Sequence, residues 1–192
     1  GEASPGALPW GIIPNLDPAD EGDRAFRTEP FCSVLSQVTL DCADPLEFLT
    51  RAVALANERL WGTLVATIVV PLAMQRDLEL RRALEQAVAA LRYGTVGINI
   101  WGGYGFALGP PWGGHPSSSL ENIQSGLGFV HNTSMLEGVE KTAIEQPIVN
   151  WPKPVHFPSH RSSAALGRAL TRVEATGSWA GLPAVVGAAI RA

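Results

Sequence analysis

The stretch "LRYGTVGINIWGGYGFALGPPWGG", residues 91–114, decides how this chain is read. It opens as the end of a helix. "TVGIN" then has the β-branched, apolar character of a short buried strand. Glycines, prolines and large aromatics follow: Trp101, Tyr104, Phe106 and Trp112. Glycine makes such a loop pliable, so the rings either pack as core or line a cavity. Loops at the C-terminal ends of parallel strands are where open α/β sheets place ligands, and this loop leaves the strand at Asn99.

Upstream the pattern alternates. "FCSVLSQVTL", residues 31–40, carries β-formers and predicts a strand. In "DPLEFLTRAVALANERL", Asp44 stands at the N-cap position, Pro45 at the first helical position and Glu47 at the capping-box position. Leu46, Leu49, Val53, Ala56 and Leu60 then repeat at helical spacing. "GTLVATIVV", from residue 62, reads as a continuous apolar strand of the kind a doubly covered sheet requires. "DLELRRALEQAVAAL", residues 77–91, predicts a second helix. Residues 31–99 therefore read strand, helix, strand, helix, strand, which argues for an α/β fold with parallel neighbours.

Beyond Gly114 the texture changes. "HPSSSLENIQSG" predicts a polar loop and "GVEKTAIEQPIV" a strand with alternating faces. "NWPKPVHFPSH" is too rich in proline for a helix or a central strand. "SSAALGRALTRVEAT" and "LPAVVGAAIRA" read as helices of a C-terminal appendix. The expected division is residues 1–150 and 151–192, the second part a Pro-rich linker with a helical extension. The N-terminal 28 residues predict irregular chain with one short strand in "LPWGII".

Composition narrows the function classes. The 192 residues are 46% hydrophobic, enough for one sizeable core. The net charge is −4 and there is no Lys/Arg run, which argues against a nucleic-acid partner. "GTLVATIVVPLAM" is too short to span a bilayer, so no membrane partner is expected. Two cysteines without a C-x-x-C pairing suggest a cytoplasmic setting. The N-terminus lacks the basic region and apolar run of a signal peptide. The chain begins at Gly1 without methionine, which leads us to expect a processed tag or a piece of a longer protein.

Few residues carry chemistry by themselves. "GGYG" lacks the spacing of a phosphate-binding loop. Glu29 in "RTEPFCSV" reads either as an acceptor for a pair of sugar hydroxyls or as a solvated loop acid. Cys42 lies between acids in "DCAD", where negative charge raises a thiol pKa, and both it and Cys32 read as structural. His156 and His160 are four apart, but Pro158 forbids the helix that would align them as metal ligands. His115 and His131 stand isolated. Asn132 opens an "NTS" glycosylation sequon, and "DPADEGD" lacks calcium-loop spacing.

Taken in order, the pieces resemble the C-terminal portion of the aldehyde dehydrogenase superfamily. That family has E-x-F-G-P-V opening a strand; here "EPFCSV". It has a helix ending A-L-A-N, an aromatic-Gly pair and a strand; here "ALANERLWGTLVATIVV". It continues with G-T-V-x-x-N, a loop of glycines and aromatics, and P-F-G-G; here "GTVGIN" and "PPWGG". An S-G-x-G element and an E-V-K-T strand close the series; here "SGLG" and "GVEKTAI". The order and approximate spacing match over residues 5–150. The departures are Cys32 and Ser33 in place of Gly-Pro, extra residues between "PWGG" and "SGLG", and "FV" where Arg-Glu usually follows.

The resemblance implies a three-layer sheet of mostly parallel strands with flanking helices, and a parent enzyme that oxidises an aldehyde to a carboxylic acid with NAD or NADP. Glu29 would hold the nicotinamide ribose hydroxyls and Phe31 would pack near the nicotinamide. Phe106 would line the aldehyde tunnel, with Tyr104 and Trp101 as neighbours. The strand near Glu140–Ile148 would pair with a neighbouring subunit in a homo-oligomer. The family's N-x-G-Q-x-C nucleophile, its glutamate base, its oxyanion-hole asparagine and its dinucleotide-binding domain are not in this sequence. The chain is therefore expected to be inactive and to bind no cofactor by itself. The other expectation is a stand-alone interaction module that keeps this scaffold.

Overall fold

A computed structural model of the chain describes residues 9–155, 157 and 159–191. It has an α/β fold with parallel sheets, in two units, Gly1–Gln146 and Pro147–Ala192. Among the described residues, no helix is long and apolar enough to cross a membrane.

The larger unit is organised on a three-stranded sheet in the order β3 (Val65–Ile68), β4 (Thr95–Ile98), β5 (Thr142–Glu145). All neighbours are parallel, with Val65 opposite Thr95 and Thr95 opposite Thr142. Central β4 is buried along its whole length, whereas the flanking strands are half-buried. The apolar run from residue 62 therefore forms an edge strand of the sheet, not its doubly covered centre.

Helices α1 (Pro45–Arg59) and α3 (Leu78–Ala90), with the short α2 (Leu72–Gln75) before α3, connect the strands. Their starts follow from local chemistry. Asp44 Oδ1 accepts from the backbone N–H groups of Leu46 and Glu47, both at 2.9 Å, satisfying two donors that have no partner inside the helix. Glu47 reaches back to the Ala43 N–H at 2.8 Å, one residue earlier than a standard capping box. Asp77 caps α3 in the same way through Glu79 and Leu80.

Strand alternation separates the two faces of the sheet. Val96 and Ile98 face the helices: Val53, Ala56 and Val88 pack with Leu91, Tyr93 and Val96, and Leu84 packs with Val70 and Ile98. Burial pushes the Tyr93 phenol pKa up, and its hydroxyl lies 3.4 Å from the Ala56 carbonyl oxygen. Thr95 and Gly97 face the other way, onto the segment rich in glycine and aromatics. There backbone lies against backbone. A methyl group on Gly94 would sit on the Gly113 carbonyl oxygen, and one on Gly113 on the Gly128 carbonyl oxygen. Only glycine permits this approach.

Polar side chains tie the element ends. Lys141 donates to the carbonyls of Val88, Ala89 and Leu91 at 3.2, 2.6 and 2.5 Å, closing the C-terminus of α3 with a positive charge. Asn57 donates to the Ala90 carbonyl at 2.9 Å and accepts from the Arg92 N–H at 2.7 Å, fastening α1 to the end of α3.

Two expectations need correction. The strand predicted over residues 31–40 reduces to β2 (Val34–Ser36), which pairs in parallel with β1 (Gly11–Ile13) in a separate two-stranded sheet. Ser33, Ser36 and Gln37 interrupt its apolar character, and β2 is exposed throughout, so it has no place beside buried β4. The run of alternating elements is thus not one sheet. The aromatic loop also contains a helix, α4 (Tyr104–Leu108), ended by Gly109 at φ 78°.

The smaller unit pairs α5 (Ser163–Thr176) with α6 (Leu182–Ile190), both in the predicted helical stretches. Ser162 Oγ donates to the Ala188 carbonyl at 2.5 Å, and Leu166 and Ala188 are buried.

The glycine contacts generate a contrast. Gly113→Ala should destabilise the protein by about 1–3 kcal/mol or more, because backbone cannot yield as a side chain can. Gly167→Ala has open space at the same point of α5 and should stabilise locally by up to about 1 kcal/mol. Urea unfolding of the two variants, with hydrogen exchange to localise each effect, checks both.

Candidate functional site

The site begins where β4 ends. Asn99 has φ 57°, a left-handed conformation that asparagine tolerates better than most residues. Its Oδ1 accepts from the Val70 N–H at 2.7 Å, and its carbonyl accepts from Gln146 Nε2 at 2.7 Å. One residue thereby ties the continuations of all three strands. Its Nδ2 is buried without a hydrogen-bond partner among the described residues.

The chain then turns back over the sheet. The Gly102 N–H donates to Thr67 Oγ1 at 3.1 Å, and Gly102 and Gly105 press against Val65 and Thr95. Bonds from the Tyr104, Gly105 and Phe106 N–H groups to the carbonyls of Trp101, Gly102 and Gly103 wind the short helix. The Trp101 indole lies over Gly103, where any side chain would collide with it.

Trp101, Tyr104 and Phe106 thus follow the C-terminal end of the central strand, on the turn and the short helix after it. Phe106 packs edge-on against Trp112, with ring centroids 5.9 Å apart, and lies 5.0 Å from the His131 ring. Trp101 and Phe106 remain 60% and 53% exposed. The alternatives of core and wall therefore divide along the loop: the glycines and Trp112 pack, while Trp101 and Phe106 present an open aromatic surface.

Glu29 and Phe31 are not joined to that surface by any hydrogen bond, ion pair or ring contact among the described residues. Both are on the exposed connection before β2, Phe31 86% exposed at φ 41°. Glu29 is exposed and makes no ion pair there. A cavity of about 950 Å³ lies on the opposite, helix-bearing face of the sheet, among Phe48, Leu49, Met74, Leu84, Val88 and Ile98. None of the five predicted residues lines it.

Cys32 and Cys42 are free thiols, the first exposed. His156 lies outside the described residues, and no group of metal-ligating side chains occurs among those described. His160 is buried, with no hydrogen-bond partner for either ring nitrogen among the described residues.

His115, isolated in the sequence, is not isolated in the fold. The placement of β5 beside β4 brings Glu140 Oε1 to 3.2 Å from His115 Nε2 and 3.1 Å from Lys141 Nζ. The twenty-five-residue separation leaves no local signal of this meeting.

No protein-family model, curated protein or solved structure matches the chain.

Hydrogen bonds from His115, then from Lys141, together with the lysine charge, hold the Glu140 carboxyl below its ordinary pKa. A depressed folded-state value means that the ionised cluster contributes stability above the unfolded carboxylate pKa. That contribution is lost as pH falls through the lower folded value. Carboxyl-carbon NMR should give Glu140 a lower midpoint than an unpaired exposed glutamate, and His115→Ala should move it upward.

Proposed function

We propose that this chain is the C-terminal part of the catalytic domain of an NAD(P)-dependent aldehyde dehydrogenase, with the three-layer arrangement of that family, and that it is inactive alone. The observation that carries this reading is the mutual packing of segments that resemble separate family motifs. Gly94 of "GTVGIN" lies against Gly113 of "PPWGG", and Gly113 lies against Gly128 of "SGLG". Thr142, from "GVEKTAI", donates its N–H to the Gly94 carbonyl and its hydroxyl to the Pro111 carbonyl, both at 2.8 Å. Coincidental likenesses would have no reason to meet at their glycines.

In the complete enzyme, the exposed rings of Trp101 and Phe106, with Tyr104, form one wall of the aldehyde tunnel. An apolar wall with few polar groups suits a hydrophobic carbonyl compound. The Glu29 carboxylate, exposed and unpaired among the described residues, is free to accept from the ribose hydroxyls, with Phe31 two residues on. These residues fit one edge of a nicotinamide site. A nicotinamide held there would supply hydride-accepting chemistry. The chain's own part is to shape the tunnel and orient the ribose; the attacking thiolate belongs to a segment that it lacks. The free edge of β5 suits pairing with a neighbouring subunit near Glu140–Ile148.

The isolated chain should reduce neither NAD nor NADP with any aldehyde. In the complete polypeptide, Glu29→Gln should raise the KM for NAD(P) by roughly tenfold or more, the cost of a charged hydrogen bond. Phe106→Ala should raise the KM for aldehyde and leave that for cofactor in place. Steady turnover by the isolated chain would overturn the reading. So would an upstream coding sequence without a dinucleotide-binding domain, which would point to the interaction module instead.

A further inference from the structure

The extra segment between "PPWGG" and "SGLG" contributes a hydroxyl and an imidazole, and Glu140 of "GVEKTAI" adds a carboxylate in series with them. Ser117 Oγ lies 2.9 Å from His115 Nδ1, and His115 Nε2 lies 3.2 Å from Glu140 Oε1. The arrangement also selects the tautomer. The Ser117 backbone N–H also donates to Nδ1 at 3.1 Å, so Nδ1 is the unprotonated nitrogen, its one lone pair shared by the two Ser117 donors, and the ring proton resides on Nε2, aimed at the carboxylate. This is the base form that a hydroxyl nucleophile requires.

The relay is anchored to the fold. The His115 N–H donates to the Thr63 carbonyl at 3.1 Å, and the imidazole side chain is only 11% exposed. Glu140 is held by Lys141, whose ammonium group is fixed on the last carbonyls around α3. Ser117 also borders a cavity of about 160 Å³, together with Leu60, Arg92, Asn122 and Gln124. Gln124 Nε2 donates to Asn122 Oδ1 at 2.8 Å, which leaves the Asn122 amide N–H groups available as donors. The Arg92 guanidinium makes no ion pair among the described residues.

We propose that Ser117 is the nucleophile of a second site, one that hydrolyses short esters carrying a carboxylate or phosphate. His115 is its general base, Glu140 positions the imidazole and Arg92 binds the anionic group. Ser117 Oγ bonds to the acyl carbon and its proton passes to His115 Nδ1. The bond from acyl carbon to alkoxy oxygen breaks, and the alcohol leaves with that proton. Water then attacks the acyl carbon and gives a proton to Nδ1. Ser117 Oγ departs and takes that proton back, so ester and water yield acid and alcohol. The cavity size limits the substrate to a short acyl group, and Asn122, which borders the same cavity, is the proposed donor to the developing oxyanion. This inference is independent of the dehydrogenase reading.

The test uses the full chain with a fluorophosphonate probe, the labelled residue identified by peptide mass spectrometry. Hydrolysis of para-nitrophenyl acetate and of mono-para-nitrophenyl succinate is measured in parallel. The label should fall on Ser117. Ser117→Ala should abolish hydrolysis, and His115→Gln should lower it by roughly a hundredfold or more. Glu140→Gln should lower the rate and shift its pH profile. Arg92→Ala should raise the KM for the succinate ester more than that for the acetate. Ser118→Ala serves as the neighbouring control and should retain activity. Absence of label on Ser117 in the wild-type protein overturns the proposal, whatever the variants' folding. Hydrolysis that survives Ser117→Ala, or that disappears on alkylating Cys32 and Cys42, overturns it as well.

Discussion

The structure depends on one close approach: backbone packed directly on backbone across one face of the central strand. Gly94, Gly113 and Gly128 stack without side chains between them, and Gly97 meets the chain at Ile100 and Gly102 in the same manner. Helices cover the other face of the sheet at ordinary side-chain distances. Here the covering layer is irregular chain, which can lie flat only where Cβ atoms are missing. That requirement accounts for Gly94, Gly97, Gly113 and Gly114, whereas Gly109, Gly126 and Gly128 sit at positive φ. It also sets the height at which the aromatic rings emerge. A thicker layer would lift Trp101 and Phe106 away from the end of β4, where an α/β sheet exposes its ligands.

Irregular chain leaves backbone polar groups without regular partners, and a few side chains supply them. Asn99 Oδ1 serves one such group, the Val70 N–H, while Asn57 and Lys141 serve two and three at the end of a helix. Each of the latter two is worth more than its own bonds suggest, since removing it leaves several groups unpaired at once. Lys141 does this at the entry to β5 and so links the C-terminus of α3 to the register of the edge strand. The same lysine steadies Glu140, so the element that closes the fold also orders the charged cluster near His115.

The two candidate sites differ in kind. The aromatic surface is open, with Phe106 and Trp101 half in solvent, and it needs other chain to become a tunnel. The Ser117 relay is small and polar, and every group it uses comes from this chain. The apolar cavity of about 950 Å³ on the helix-bearing face belongs to neither. Position relative to the strand ends, and the chemistry of the lining, say more about these surfaces than volume does.

Much of the fold was legible in the residues. Asp44 and Asp77 announce α1 and α3 through donors only two and three residues away, and the apolar runs of β3 and β4 follow from β-branched composition. The alternating faces of β5 were equally plain. What lay beyond reach was set by partners distant in the chain. The pairing of β2 with β1, and not with β3, depends on which strand can be buried on both faces. The helix at Tyr104–Leu108 forms among glycines and aromatics that have little helical preference, because packing on the sheet holds it. The glycines were conspicuous, but their purpose required knowing that Gly113 lies between Gly94 and Gly128. The meeting of His115 with Glu140 required β5 to lie in parallel beside β4. Caps, turns and periodicity act over a few residues, so the sequence by itself determined where α1 and α3 begin. Strand pairing, close backbone approach and the assembly of polar side chains are long-range contacts, and the tertiary structure alone decided them.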